Sequence, residues 1–131
     1  MDKAVIHECT LLSFEDKITF PQVVQKLAAI GVERYVADLI RLHRTTYNTN
    51  NETYVESLPL KDAPAVPSSF NQSGVRVAIA AIQQGKINYT EFLRQMMKAG
   101  CCRYEVYITG KKVMYLGRDG EHHIENFPTK T

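Results

Sequence analysis

No apolar run in this chain approaches the roughly 20 residues that a membrane-spanning helix needs, so no membrane partner is expected. The start, Met1-Asp2-Lys3-Ala4-Val5-Ile6-His7-Glu8, breaks its apolar run after three residues and does not read as a secretory leader. Cysteine is scarce. Three of them, an odd number without framework spacing, suit reduced thiols and a cytoplasmic location. Charge of either sign is nearly absent in the balance: sixteen Lys and Arg against fourteen Asp and Glu leave +2, too little by itself to direct the chain to nucleic acid. Motifs of chemistry are missing as well. There is no G-x-S-x-G, S-x-x-K, H-E-x-x-H or C-x-x-C, and no glycine-rich loop opens a helix after a strand. No cofactor, metal set or catalytic residue is therefore expected.

What is present is ordinary globular composition, 44% apolar and 23% charged, in 131 residues that suit a single domain spanning 1–131. The chain also repeats itself. Shifted by 69, Ile18–Pro59 falls on Ile87–Pro128 without a gap, and seven of the 42 pairs are identical: Ile18/Ile87, Gly31/Gly100, Arg34/Arg103, Tyr35/Tyr104, Glu52/Glu121, Glu56/Glu125 and Pro59/Pro128.

The physical equivalences run deeper than identity. Thr19 and Asn88 are N-cap residues with Gln22 and Glu91 three positions on, so both copies carry the capping-box pattern. Val23, Val24, Leu27 and Ile30 mark one apolar helix face, and Phe92, Leu93, Met96 and Ala99 mark the other. Gly31 and Gly100 end the two helices where a left-handed residue is wanted. Period two then takes over. Tyr104, Val106 and Ile108 alternate with polar neighbours, followed by strands over 113–116 and 122–127 with Asp119-Gly120 as a hairpin turn. In the first copy the strands fall over 35–42, 45–47 and 53–58, with Asn50-Asn51 in the turn. Upstream of each repeated helix lies another, marked by Val5, Cys9 and Leu12 and by Val75, Ile79 and Ile82; here the shift reads as 70, with one extra residue in the "FEDK" connection. "SSFNQSG" reads as the cap region of the third helix.

The expected fold is α+β: internally duplicated α-α-β-β-β halves sharing one core, four helices on one face of an antiparallel sheet, related by a pseudo-two-fold. The first repeat spans about 1–59, a proline-bearing connector about 60–73, and the second repeat about 74–131.

"AIAAIQQGKINYTEF", then "AG", then "YEVYITGKKVMYLGRDGEHHIENFP" resembles an uncharacterised family of bacterial and phage proteins, domain of unknown function 1398, sometimes labelled phage envelope protein. The resemblance covers most of the chain and is most specific from Ile79 to Pro128. It implies a small α+β protein of bacterial or prophage origin and brings no catalytic or cofactor residue with it.

The repeat also sorts candidate residues. Arg34 and Arg103, kept in both copies, are explained by fold if they pair with Glu56 and Glu125 across the sheet; alternatively they bind an anion in a symmetric groove. Residues unique to one half are better candidates for chemistry. Cys101 and Cys102 stand where the first copy has Val32 and Glu33, and His122 and His123 where it has Thr53 and Tyr54. Adjacent strand residues face opposite ways, so neither pair readily holds one metal; one cysteine should be core and the other half-exposed. Tyr107, Lys111, Lys112, Tyr115 and Arg118 gather aromatic and basic groups on the second hairpin, a weaker pointer to nucleic acid. The leading expectation is a non-catalytic binding or interaction module for a protein or small ligand, with candidate contacts Arg34, Arg103, Cys102, Tyr107, Tyr115, His122 and His123. Exposed sheet edges also suit a homodimer. The runner-up is a small enzyme built from second-half His122, His123 and Cys102.

Overall fold

The computed structural model of this chain describes residues 1–128. Its elements run α1 (Lys3–Phe14), α2 (Phe20–Ala29), β1 (Val32–Asp38), β2 (His43–Asn48), β3 (Thr53–Ser57), α3 (Gln72–Gln83), α4 (Tyr89–Lys98), β4 (Cys101–Tyr107), β5 (Lys112–Gly117) and β6 (His122–Asn126). Every element in the first half has a counterpart of equal length in the second, displaced by the same shift of 69. The first helix, 3–14, maps onto 72–83, and the last strand, 53–57, onto 122–126.

The helices start and stop where local chemistry places them. Asp2, Thr19, Asn71 and Asn88 cap the four N-termini through their side chains. At Thr19 the capping box is complete, with Gln22 answering the cap backbone. At Asn88 it is half made: Asn88 accepts from the Glu91 N–H, while the Glu91 carboxylate takes a bond from Gln95 instead. Gly31 and Gly100 follow the second and fourth helices at φ +85 and +90, conformations that favour glycine. A Cβ at Gly100 would also sit 2.1 Å from the Ser69 carbonyl oxygen, because the segment before α3 passes over that turn.

The six strands form one antiparallel sheet in the order β3-β2-β1-β4-β5-β6, which reads alike from either edge. The register of the central pair is equally symmetric: Arg34 faces Tyr107 and Asp38 faces Arg103, about a midpoint at Val36 and Glu105. Helices cover one face. The α2 helix packs on β1, α4 on β4, and α3 on α4 and β6. Leu27, Leu93, Met96, Val75 and Val106 are fully buried between the layers, each contributing roughly 1.5–3 kcal/mol of transfer free energy.

Two expectations are corrected. The shift between the first and third helices is 69 rather than 70: α1 buries Ile6, Cys9 and Thr10, and α3 buries the equivalent Val75, Ala78 and Ile79. The connections 15–19 and 84–88 are equally long, so there is no extra residue. Val5 and Leu12 lie beside the buried stripe rather than on it. Nor do Arg34 and Arg103 reach Glu56 and Glu125. The strand β1 lies between β2 and β4, not next to β3, and the glutamates point to the helix-covered face.

Candidate ligand-binding cavity

Along the helix-covered face of the sheet, direct cross-strand partners form two rows. One runs Glu56, Arg44, Ala37, Tyr104, Tyr115, His123; the next runs Tyr54, Thr46, Tyr35, Val106, Val113, Glu125. Ala37 leaves room between Arg44 and Tyr104. Into that gap comes Tyr89, the first residue of α4, whose hydroxyl accepts a bond from Arg44 Nη2 at 3.0 Å and is itself hydrogen-bonded to the Tyr104 hydroxyl.

Arg44 is the unusual member. It is 2% exposed, yet among the described residues no carboxylate lies within 4.0 Å of its nitrogens. Its partners are neutral: Nη1 donates to Thr10 Oγ1 at 3.0 Å, the guanidinium lies 4.6 Å from the Tyr35 ring centre, and Nε has no partner. Cross-strand Glu56 supplies an opposing charge nearby, but its Oε1 is 3.0 Å from His7 Nδ1 and its Oε2 is unpartnered. Burial works against the charge on Arg44, while Tyr89, Tyr104, Tyr35 and Glu56 favour it and prevail, holding its pKa above the usual arginine range. Burial also raises Tyr104, Tyr35 and Tyr115 above the ordinary tyrosine value, so all three are neutral hydroxyls at physiological pH.

These groups floor a cavity of about 860 Å³. It lies between α2 and α3 over the sheet, with Phe20, Val23, Ile79 and Ile82 in its walls. Phe20 and Phe127 meet edge to face at 5.6 Å and both line it. Lys86, Asn88 and Glu125 add polar groups to its lining. The lining is thus mostly apolar and aromatic, with Arg44, Tyr35, Tyr89 and Tyr104 as one polar cluster and Asp16, Lys86, Asn88 and Glu125 as separate polar groups.

Of the candidate contacts named from the sequence (Arg34, Arg103, Cys102, Tyr107, Tyr115, His122 and His123), only Tyr115 lines this cavity. His123 lies behind it, its ring stacked on Tyr115 at 6.4 Å and its Nε2 3.1 Å from Glu125 Oε1. His122 is exposed and points to the other face. Cys102 is half-buried and Cys101 fully buried, as expected, with desolvation pushing the Cys101 thiol up to about 12. Arg34 and Arg103 lie on the open face of the sheet, bonded to Glu33 and Glu105, and Arg34 also stacks 3.8 Å over Tyr47. Tyr107 is on that face too, hydrogen-bonded to Glu105. Among the described residues, no group of three or more His, Cys, Asp or Glu is placed to hold a metal, and no helix is long and apolar enough to cross a membrane.

Arg44, Tyr89 and Thr10 were missed from sequence. The signal was available in the repeat: at the shift of 69, Arg44, Thr10 and Tyr89 correspond to Val113, Ile79 and Phe20, three polar groups against three apolar ones. The sequence reading looked for unduplicated chemistry in the second half, whereas Arg44 and Thr10 lie in the first and only Tyr89 in the second.

The geometry defines a small α+β protein with a ligand-sized cavity under one face of an antiparallel sheet. Residues 13–126 match the family described as protein of unknown function (DUF1398), and the chain belongs to that family. An uncharacterized protein of Mycobacterium bovis is 24% identical over 111 residues, covering 82% of this chain and 66% of the relative. Uncharacterized proteins from two strains of Mycobacterium tuberculosis match to the same extent. The chain therefore spans just under two thirds of the length of the curated relatives it matches.

Proposed function

We propose that this chain is a binding module for a small molecule, taken up in the cavity between α2, α3 and the sheet. One observation carries the reading: a cavity of about 860 Å³ with apolar walls converges on a fully buried cation. That is the ordinary anatomy of a small-molecule site, in which apolar walls bind and a few placed polar groups orient. Binding is favoured over catalysis because no described residue lining the cavity pairs a nucleophile with a base; the Ser13 hydroxyl is spent on the Cys9 carbonyl at 2.8 Å. His122, His123 and Cys102, on which an enzyme reading would rest, are not among the lining residues. A cytoplasmic setting is proposed with it, since Cys9, Cys101 and Cys102 are all unpaired thiols.

The test is to fill the cavity. Ile82→Trp, at its wall, should keep the fold by circular dichroism and abolish the melting-temperature rise that small-molecule probes give the parent protein. Binding at 100 times Kd stabilises by about 2.7 kcal/mol, well within reach of a thermal melt. Equal responses from the parent and the filled variant would place binding elsewhere and end this reading.

A further inference from the structure

We infer that the ligand of this cavity is a small organic carboxylate with an aromatic or aliphatic body, its anionic group held by Arg44 and the Tyr89–Tyr104 hydroxyl pair; this rests on the cavity being a binding site.

A guanidinium taken out of water costs several kcal/mol unless an anion pairs with it. Arg44 is 2% exposed and has only neutral hydrogen-bond partners, Thr10 and Tyr89. Five N–H groups are available, and two are used. The phenols leave a further donor. Tyr89 and Tyr104 share one hydrogen bond, and whichever hydroxyl donates it, the proton of the other is uncommitted. Both tyrosines line the cavity, as does Arg44. The site therefore offers a positive charge and a free phenolic proton; the nearest carboxylate, cross-strand Glu56, is not among the lining residues and makes no hydrogen bond to Arg44 or the phenols, so neither donor is met by an acceptor inside the cavity.

A carboxylate meets that need. It is a planar monoanion that accepts from a guanidinium and a hydroxyl together. A phosphate monoester fits less well, because it brings close to two negative charges and three acceptor oxygens to a single buried cation. The apolar walls, with Phe20, Phe92 and Phe127 among them, select the body. A volume of about 860 Å³ holds more than a bare acetate and lies within the roughly 300–1,000 Å³ of drug-sized ligand sites.

The experiment titrates matched probes into the purified chain: naphthalene-2-carboxylate, its neutral carboxamide, octanoate, naphthyl phosphate and inorganic phosphate. Both carboxylates should bind, and naphthalene-2-carboxylate should exceed its carboxamide by about 10- to 150-fold, the range of a hydrogen bond to a charged group. Arg44→Met should erase that preference, leaving the carboxamide as good as or better than the acid. Tyr89→Phe, which keeps the ring, should reduce the preference in part and serves if Arg44→Met does not fold. Carboxamide binding equal to the acid, or naphthyl phosphate binding more tightly than it, would overturn the carboxylate assignment and leave the cavity reading standing. Failure of both carboxylates at millimolar concentration would also overturn it. If Ile82→Trp binds naphthalene-2-carboxylate as the parent does, the cavity reading itself fails.

Discussion

The two halves of this protein follow the same α-α-β-β-β plan and differ at the middle of their inner sheet faces. In the first half, Arg44 on β2 bonds to Thr10 on α1. In the second, the equivalent positions are Val113 and Ile79, both buried in the core. Tyr89 at the start of α4 supplies a hydroxyl where Phe20 at the start of α2 supplies none. The polar cluster of Arg44, Thr10, Tyr89 and Tyr104 thus draws on both halves, while the apolar counterparts Val113, Ile79 and Phe20 line the same cavity. The comparison separates what the fold needs, a large inward side chain at each position, from what it does not need, a charge.

Moving the charge gives the largest effect. Val113→Arg should destabilise by about 3 kcal/mol or more in urea titrations, because it replaces a packed apolar side chain with a guanidinium that Ile79 and Phe20 cannot bond and whose one cross-strand carboxylate, Glu125, is already engaged by His123. The reverse exchange, Arg44→Met with Thr10→Ile and Glu56→Gln so that both buried charges go together, should leave stability unchanged or raise it by about 1 kcal/mol or more, since apolar replacement of buried ionic groups is often favourable. A large loss in the second case would mean that Arg44 is structural.

The two helix-ending glycines come next. Gly100→Ala should cost about 3 kcal/mol or more, combining the left-handed backbone with a backbone clash at Ser69. Gly31→Ala has only side-chain atoms at 3.7 and 3.8 Å from the new Cβ and should cost about 1–2 kcal/mol. Equal losses would show that the segment before α3 gives way.

Smaller still, Tyr89→Phe should cost about 1–2 kcal/mol by removing an acceptor from Arg44 and a partner from Tyr104. Phe20→Tyr, at a position 41% exposed, should change stability by less than about 0.5 kcal/mol. Stability should also depend on alkaline pH. Tyr35, Tyr104, Tyr115 and Cys101 are buried neutral, and burial raises the pKa of each. Their contribution is complete below the unfolded-state values, about 8.5 for cysteine and 10 for tyrosine, and is lost as pH rises beyond them, since the unfolded chain then binds fewer protons. The urea midpoint should be flat from pH 6 to 8 and fall steadily from about pH 9; a midpoint that rises there would contradict the burial.

Much of the fold was legible because local chemistry wrote it twice. Thr19 and Asn88 capped, Gly31 and Gly100 stopped, and strand alternation marked Tyr104, Val106 and Ile108 as inward. The first helix was misjudged by one residue because Val5 and Ile6 are both apolar, and period alone does not choose between neighbouring stripes. The site was less legible. Arg44 sits in "RLHRTTYN", where an arginine reads as a solvated strand residue, and burial of a charge is a property of packing across α1, β2 and α4 together. Its neighbours Thr46 and Asn48 share the inward alternation and are buried too, so the first half carries a polar inner row that hydrophobic patterning passes over.

A crystal structure of the chain grown with naphthalene-2-carboxylate tests the central claim most directly. The naphthyl ring should lie between α2 and α3, with one carboxylate oxygen within about 3 Å of an Arg44 nitrogen and the second accepting from Tyr89 or Tyr104. A ligand bound elsewhere, or one seated in the cavity with its carboxylate turned away from Arg44, would contradict it.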